Sequence, residues 1–482
     1  MERRSNFRMF NRTPFLSGFR SLLFGRRPVS AEEKILRERA ATDRLCATQL
    51  RTLFGRWLPL ELLHAKNRSG VNSRHSVFTP AVTFWAFLGQ VLDPGSSCEK
   101  ALSRVQALCA LQGRALPSSA TGAYCTARAR LSVRWLGRLC AHVAGGLMGA
   151  GGEGRLLVAD GTGVSLPDTP ALQARYPQPG AQKPGCGFPH MKLLGLFDLR
   201  SGAWLATIHS HLRVHDLPLL RRLLRRLFHR LHRGDTLIVD RAFCGWFDIA
   251  RLRAKGVDLV VRLHQARRAD FRTGSRLGRG DHTVAWPKPV RPAWMDERTY
   301  AALPAFLLVR EVRSRRERKG FRTTALVLVT THLDAATHPS EASADLYARR
   351  WRVELFFDDL KTTLQMDRLR TKSPAMVQRE LLLHMIAYNL LRRLIARSGG
   401  DSARASFKGT VDRLQTWTWV IWSAPTARQA LRCLRHLLAT IATAEVPHRP
   451  GRREPRAVKR RPKSYQLLTR PRHLFHEVPH RA

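Results

Sequence analysis

The succession of short apolar segments between residues 155 and 263 most constrains the fold of this chain. These segments are rich in Leu, Val and Ile and are interrupted by amphipathic stretches, which predicts buried strands separated by helices. The predicted strands are 155–160, 191–199, 203–210, 235–240 and 258–263, and the predicted helices are 215–232 and 246–256. This order predicts an α/β unit with three antiparallel strands followed by two crossover units.

Sequence patterns typical of strands resume after residue 264. The segments HTVAW, AFLLVREVR and RTTALVLVTTH run apolar or alternate with β-branched residues, and basic Gly-rich text precedes them. They predict an all-β insertion. A helix from about 342 to 366 is predicted next, followed by helices at 376–397 and about 409–441.

The text before residue 150 predicts helices, at 31–63, 80–92, 98–112 and from about 119. The tail from 446 is rich in Pro and Arg, so we expect it to be disordered until it meets a polyanion. The predicted domains are a basic arm (1–29), a helical domain (30–150), an α/β core in two parts (151–264 and 336–398), the β insertion (265–335), a C-terminal helical region (399–445) and the basic tail (446–482).

The charge of the chain is strongly unbalanced. It contains 83 Lys and Arg against 36 Asp and Glu, a formal net charge of +47. Such an excess attracts polyanions, and nucleic acid is the expected partner because each neutralised phosphate releases a counterion. A ribosomal or RNA-coating protein is an alternative that the charge alone leaves open. No apolar run reaches the ~18 residues of a membrane span, so no membrane partner is expected.

The cysteines and histidines do not predict a zinc site. The chain has 8 Cys, and no two are spaced as a CxxC pair, which argues against a zinc ribbon and fits free thiols in a reducing cytoplasm. The cluster of His209, His211 and His215 would need a fourth partner to hold Zn²⁺. Lining of an active site is the other interpretation of these histidines.

Two aspartates end neighbouring predicted strands. Asp160 ends the first strand and Asp240 ends the fourth, so their carboxylates can meet. Paired carboxylates can hold the hard divalent cations that assist phosphoryl transfer. An Asp at a strand end is also a common turn former. Three further acids compete for these positions, namely Asp168, Asp198 and Asp216.

A third acidic candidate lies on the predicted helix 342–366. At ~100° per residue, one face of this helix presents Tyr347, Arg350, Glu354 and Lys361. A carboxylate in the middle could bind metal, and the basic groups could contact phosphates. A solvated face of salt-bridged charges is the alternative. Asp358 shares this face one turn later, and geometry does not decide between the two acids.

The spacing Y-x2-R-x3-E-x6-K, here YARRWRVELFFDDLK, resembles the YREK signature of the DDE transposases of bacterial insertion sequences. The texts VADGTGVSLPDTP and LIVDRAF resemble the two Asp segments of that family. SSATGAYCTARARL and the tail text VPHRPGRREPRAVKRRPK are also similar, so the resemblance extends from about residue 30. The strand order resembles a ribonuclease H-like catalytic core, a mixed five-stranded sheet interrupted by an all-β insertion, with helical N-terminal and C-terminal regions.

The resemblance implies a role for each matching residue. Asp160, Asp240 and Glu354 would be the catalytic, metal-binding triad, holding two Mg²⁺ (or Mn²⁺) ions. Tyr347, Arg350 and Lys361 would contact DNA near the transposon end. The family's base-stacking tryptophan has no counterpart in TTALVLVTTH.

Three other residues are candidates for DNA contact. Trp286 and Trp294 could replace the missing stacking tryptophan, with packing as their alternative role. Arg241 follows Asp240 and is a candidate phosphate contact or an ordinary surface arginine.

The implied function is cut-and-paste DNA transposition. The protein would bind the terminal inverted repeats, cleave the ends by metal-dependent hydrolysis, and join the 3′-hydroxyl ends to target DNA. It would act as a homodimer that pairs two ends, in the bacterial cytoplasm with the nucleoid. A structure-selective nuclease on the same fold, and a DNA-binding protein that has lost transposition, are the alternatives.

Overall fold

The structure is a computed structural model that describes residues 53–54, 57–58, 77–111, 113–148, 154–316, 324–400, 404–422, 424–447 and 467–475. The predicted basic arm and most of the predicted helix 31–63 lie outside the described residues.

One mixed sheet forms the centre of the described chain. Its strands are β1 Leu156–Ser165, β2 His190–Asp198, β3 Trp204–His211, β4 Thr236–Val239, β5 Asp258–Arg262, β6 Ser275–Gly278, β7 Asp281–Pro287, β8 Phe306–Arg316 and β9 Thr324–Thr330. Their order is β3-β2-β1-β4-β5-β9-β8-β7-β6. β1 pairs antiparallel with β2 and parallel with β4, and β4 pairs parallel with β5. The first five strands therefore follow the predicted order and directions.

The strands of the predicted insertion extend this sheet and do not form a separate one. β9 pairs antiparallel with β5 and supplies hydrogen-bond partners to an edge that would otherwise be open. The result is a nine-stranded sheet, where the sequence predicted five strands plus an independent insertion. The prediction missed β6, which lies in the Gly-rich text, and a short helix at Glu297–Ala301.

Helices cover both faces of the sheet. Those of the described chain are α1 Pro80–Leu92, α2 Cys98–Leu111, α3 Gly122–Arg130, α4 Val133–Gly145, α5 Pro170–Arg175, α6 Asp216–Leu227, α7 Trp246–Ala254, α8 Glu297–Ala301, α9 Ser340–Ala348, α10 Arg352–Asp358, α11 Pro374–Ser398, α12 Phe407–Trp422 and α13 Ala427–Ala442. Among the described residues, no helix is both long and apolar enough to cross a membrane.

Capping residues explain where several helices begin. Thr79 accepts a hydrogen bond from the Val82 N–H (3.2 Å) ahead of α1, whose first residue is proline. Thr426 caps α13 in the same way, accepting from the Gln429 N–H (3.2 Å). This cap, following Pro425, divides the predicted helix 409–441 into α12 and α13.

The predicted helix 342–366 is interrupted twice. A 3₁₀ turn over Arg349–Trp351 joins α9 to α10, and a π-helical turn over Asp359–Thr363 follows α10. Tertiary contacts explain the second interruption. Asp359 accepts a hydrogen bond from Arg392 Nη2 (2.7 Å), and Leu360 is fully buried. These contacts outweigh the regular α-helical hydrogen bonding that periodicity predicts.

The sheet has an apolar core on each face. Val158, Val164 and Phe197 pack on the side of α10 and α11. Leu157 and Ala159 pack on the other side, with α6 and α7. Because successive side chains of a strand point to opposite faces, Asp160 lies on the α10 side.

Candidate active site

The register of two parallel strands places Asp160 near Asp240. Val158 of β1 is opposite Ile238 of β4, and continuing this register by two residues sets Asp160 beside Asp240. The prediction that Asp160 ends its strand is wrong, because β1 continues to Ser165. The residues after Asp160 keep antiparallel partners in β2, whereas β4 ends at Val239. Asp160 therefore lies in mid-strand, at the point where its parallel neighbour stops.

Asp160 has two hydrogen-bond donors. Its Oδ1 accepts from the Gly161 N–H (2.7 Å) and its Oδ2 accepts from Arg350 Nη1 (2.9 Å). Burial raises the pKa of Asp160, Gly161 and Arg350 lower it, and the charges of Asp240 and Asp216 raise it again. The carboxylate is thus partly neutralised by one guanidinium and repelled by two nearby acids.

Tyr347 connects the helical segment to Asp240. Its hydroxyl donates to Asp240 Oδ1 over a long 3.4 Å. The ring is 7% exposed, and burial raises the pKa of Tyr347 to about 12, with Arg350 acting in the opposite direction. The phenol therefore stays protonated at neutral pH and can donate to a carboxylate.

Electrostatics separates Glu354 from Asp358. Both are exposed on α10. Partial burial raises the pKa of Glu354, Arg350 lowers it, and the charge of Asp160 raises it. Asp358 instead accepts from Thr362 Oγ1 (2.7 Å) and acts on the pKa of its neighbour Asp359.

Lys361 and Arg241 lie at the border of this group. Lys361 Nζ donates to Thr162 Oγ1 (3.2 Å), two residues along β1 from Asp160. Arg241 is exposed in the 3₁₀ turn that follows Asp240. Sequence reasoning missed Thr162, although the alternation of β1 places it on the same face as Asp160.

The donor set suits a hard divalent cation. The three acids offer carboxylate oxygens, which Mg²⁺ prefers. Their mutual effects on pKa indicate repulsion that a bound cation would relieve. As the side chains stand, no group of three or more His, Cys, Asp and Glu in the described part of the chain is gathered closely enough to hold an ion. Arg350 is hydrogen-bonded to Asp160 Oδ2, one of the oxygens that would face such an ion.

The competing acids have other partners. Asp198 is buried and accepts from the Ser201 N–H (2.8 Å) in the turn after β2. Asp168 is bound by Arg472. Asp216 pairs with Lys192 (3.1 Å) at the start of α6, beneath Gly161.

The histidine cluster shows no zinc geometry. His209 Nδ1 lies 3.0 Å from the Tyr176 hydroxyl, and burial lowers the pKa of His209 to about 4. His215 is exposed at the start of α6, away from that contact. Within the described ranges, no metal-binding group includes these histidines.

The two tryptophans differ in accessibility. Trp286 is 5% exposed, its Nε1 donates to Glu311 Oε1 (3.0 Å), and the Arg267 guanidinium lies 4.1 Å from its ring centre. These contacts are those of a packing residue, so the structure does not support base stacking by Trp286. Trp294 is 44% exposed, with Arg221 at 3.9 Å from its ring centre.

Comparison with known proteins identifies the family. Residues 151–390 match the family model described as the transposase DDE domain. The chain is 26% identical over 324 residues to transposase InsG of insertion sequence element IS4 from Escherichia coli K12, covering 64% of this chain and 69% of that protein. It is 35% identical over 72 residues to the putative transposase InsL of IS186A from the same strain, covering 15% of this chain and 20% of InsL.

A further match has the same identity over the same length, to the transposase of IS421 from Escherichia coli, of which 19% is covered. A solved structure of the piggyBac transposase in a synaptic complex with hairpin DNA covers 86% of each chain with 13% identity and a TM-score of 0.38. The family model and the InsG match define the class as enzymes that cleave and transfer DNA strands. The chain belongs to the DDE transposases of insertion sequences.

Proposed function

We propose that this transposase binds the terminal inverted repeats of its element, cleaves at the ends by metal-dependent hydrolysis, and joins the 3′-hydroxyl ends to target DNA. The supporting observation is the contact of one helical segment with both strand aspartates. Tyr347 reaches Asp240 (3.4 Å) and Arg350 reaches Asp160 (2.9 Å), with Glu354 one turn further on.

In this proposal Asp160, Asp240 and Glu354 hold two Mg²⁺ (or Mn²⁺) ions. The ions would supply activation of the attacking oxygen and stabilisation of the leaving oxygen during phosphoryl transfer. Glu354 is preferred to Asp358 because it occupies the glutamate position of the family signature, and because the charge of Asp160 acts on its pKa.

The surrounding residues position these acids and contact DNA. Tyr347 orients Asp240 through its hydroxyl and is not a nucleophile, since its raised pKa keeps it protonated. Arg350 balances the charge of Asp160, and we propose that Arg350, Lys361 and Arg241 contact strand phosphates at the transposon end. Trp294, which is partly exposed, is the remaining candidate for stacking on a base.

The proposed architecture is a ribonuclease H-like core formed by β1–β5, with β6–β9 as an insertion that prolongs its sheet. The helical N-terminal domain (30–150) would bind the terminal repeats. The C-terminal helices (399–445) would bind DNA non-specifically or support a homodimer that pairs two ends. The proposed location is the cytoplasm, with the nucleoid.

The test is cleavage of a duplex that carries the element's own terminal repeat, in Mg²⁺. Wild type should cut at the repeat boundary, and Glu354→Gln should lose at least ~100-fold in rate, because a metal ligand is removed. Asp358→Asn is the matched control on the same helical segment and should cut at near the wild-type rate.

The two variants also separate the alternatives. Loss of cleavage in Asp358→Asn with normal cutting by Glu354→Gln would move the third ligand to Asp358. Cleavage without joining to a target duplex would indicate a nuclease. Repeat binding without cleavage by wild type would indicate a DNA-binding protein without transposition activity.

A further inference from the structure

Two cysteines of the N-terminal helices meet at one guanidinium nitrogen. Cys98 is the first residue of α2, and Cys125 lies in α3. Arg128 Nη2 donates to Cys98 Sγ (3.2 Å) and to Cys125 Sγ (3.4 Å). The Cys125 thiol also raises the pKa of the Cys98 thiol, after the larger effects of burial and Arg128. Their sulfurs are therefore neighbours, although 27 positions of helix and loop separate them along the chain.

The hydrogen-bond and ring contacts of the guanidinium are with neutral groups, and its charge also opposes the rise in pKa that burial causes in the Glu380 carboxyl. Arg128 is 8% exposed, and its Nη1 donates to Gln90 Oε1 (3.3 Å). Its plane lies 4.9 Å from the ring centres of both Phe87 and Tyr124. A buried positive charge among such neighbours favours negative charge on an adjacent sulfur. Gln90 Nε2 also donates to Cys98 Sγ (3.8 Å).

Accessibility distinguishes this pair from the four buried cysteines of the described chain, and proximity to a second thiol distinguishes it from Cys433. Cys98 and Cys125 are partly exposed, so a small oxidant can reach them. The buried ones are Cys109, Cys140, Cys186 and Cys244. Cys433 is partly exposed in α13, and nothing in the described residues brings a second thiol to it.

We propose that Cys98 and Cys125 are an oxidisable dithiol that a peroxide converts to a disulfide. In the first step one thiolate attacks a peroxide oxygen and the O–O bond breaks; the hydroxide that leaves takes up the proton released by that thiol, and the products are a sulfenic acid and water. In the second step the other thiol attacks the sulfenic sulfur, the S–S bond forms, and a second water leaves with the thiol proton. Two thiols are oxidised and one hydrogen peroxide is reduced to two waters.

The product would link the first turn of α2 to α3. It would also change the acceptors of Arg128, because both of its sulfur partners become part of the bridge. Burial raises the pKa of the Cys98 thiol, and Arg128 only partly offsets this effect. The dithiol should therefore react more slowly than a thiol of low pKa.

The test is peroxide treatment of the full-length reduced protein, followed by alkylation of free thiols, digestion without reductant and mass spectrometry. We expect a peptide pair linked through Cys98 and Cys125, lighter by two hydrogens than its reduced components and separated by dithiothreitol. Cys109→Ser is the matched control, since it removes a buried thiol of the same helix and should leave the linked pair unchanged.

Cys125→Ser should abolish the linked pair and leave Cys98 as a sulfenic acid that dimedone labels. If a melting curve shows that this variant is unfolded, Cys98→Ser with dimedone labelling of Cys125 takes its place. The proposal fails if both cysteines stay alkylatable while other thiols oxidise. It also fails if Cys98 links instead to Cys46, a result that Cys46→Ser would reveal by abolishing the bridge.

Discussion

Carboxylates are scarce in this chain, and their partners indicate their roles. Two of the buried structural acids are paired with arginine, Asp248 with Arg221 (2.7 Å) and Asp281 with Arg310. Asp240 differs, because the contact that reaches it is a neutral phenol. An acid with incomplete charge compensation in a strongly basic protein attracts cations, which is consistent with its proposed role.

A buried histidine predicts a pH dependence of stability. His384 of α11 is 5% exposed, its Nδ1 has no hydrogen-bond partner, and burial, aided by the charge of Arg370, lowers the pKa of His384 to about 3. The unfolded chain binds a proton at this position near pH 6.5, and the folded chain does not. Its contribution to stability is therefore fully present above pH 6.5 and is lost as the pH falls toward about 3.

We expect His384→Leu to reduce this loss of stability at low pH. Between about pH 6 and pH 4, the free energy of unfolding of wild type should fall relative to the variant by up to about 1.4 kcal/mol per pH unit. Urea unfolding followed by fluorescence measures the difference. The exposed His142 of α4 provides the control His142→Leu. Parallel curves for wild type and His384→Leu would contradict the prediction.

At the scale of elements, helix α6 has two distinct faces. Leu219 and Leu223 are buried against the sheet, whereas its exposed face presents Arg222, Arg225 and Arg226. The helix begins at Asp216, beside the strand that contains Asp160. An unshielded row of guanidinium groups starting near the candidate site is suited to bind DNA phosphates.

Replacing the three exposed arginines of α6, Arg222, Arg225 and Arg226, by Gln should weaken binding to duplex DNA uniformly across sequences. The slope of log K against log salt should fall by up to ~0.9 for each phosphate that the variant no longer neutralises. Fluorescence anisotropy at several salt concentrations measures the slope. The matched control removes the same charge at exposed positions already paired with acids, as Arg272→Gln, Arg404→Gln and Lys408→Gln. An equal change of slope in both proteins would show that only net charge matters.

At the scale of the whole molecule, part of the basic tail is attached to the core. The sequence predicted disorder throughout 446–482, but residues 467–475 pack on the loop after α5. The Leu468 N–H donates to the Cys186 carbonyl (3.1 Å), and Arg472 Nη1 donates to the Gly185 carbonyl (2.7 Å). Arg472 also pairs with Asp168, which lies beyond the end of β1. The tail prediction is therefore wrong for this segment, because specific carbonyl and carboxylate acceptors compensate for the entropy of ordering it.

Arg472→Gln should release this segment. We expect chymotrypsin to cut at Leu474 or Phe475 several-fold faster than in wild type, since the segment would open more often. Arg470→Gln is the control, because the described contact of Arg470 is with Phe475 of the same segment (4.6 Å to the ring centre) and not with the core. Equal cleavage of wild type and Arg472→Gln would show that the arginine does not anchor the tail.

Elements whose causes are local could be predicted from the sequence. Short apolar segments located β2–β5 to within one residue at each end, and helical spacing of apolar residues located α1. The spacing of Tyr347, Arg350 and Glu354 predicted a shared face, and in the structure the first two reach Asp240 and Asp160. The shared face follows from helical periodicity, and the 3₁₀ turn at Arg349–Trp351 does not disrupt it.

Features that depend on neighbours distant in sequence could not be predicted from local patterns. The pairing of β9 with β5 joined the insertion to the core sheet, because an open strand edge needs hydrogen-bond partners. The contact of Arg392 with Asp359 reshaped the helix after α10. Burial beneath Arg267 gives Trp286 the contacts of a packing residue. Distances between remote side chains depend on packing, which composition and spacing do not encode.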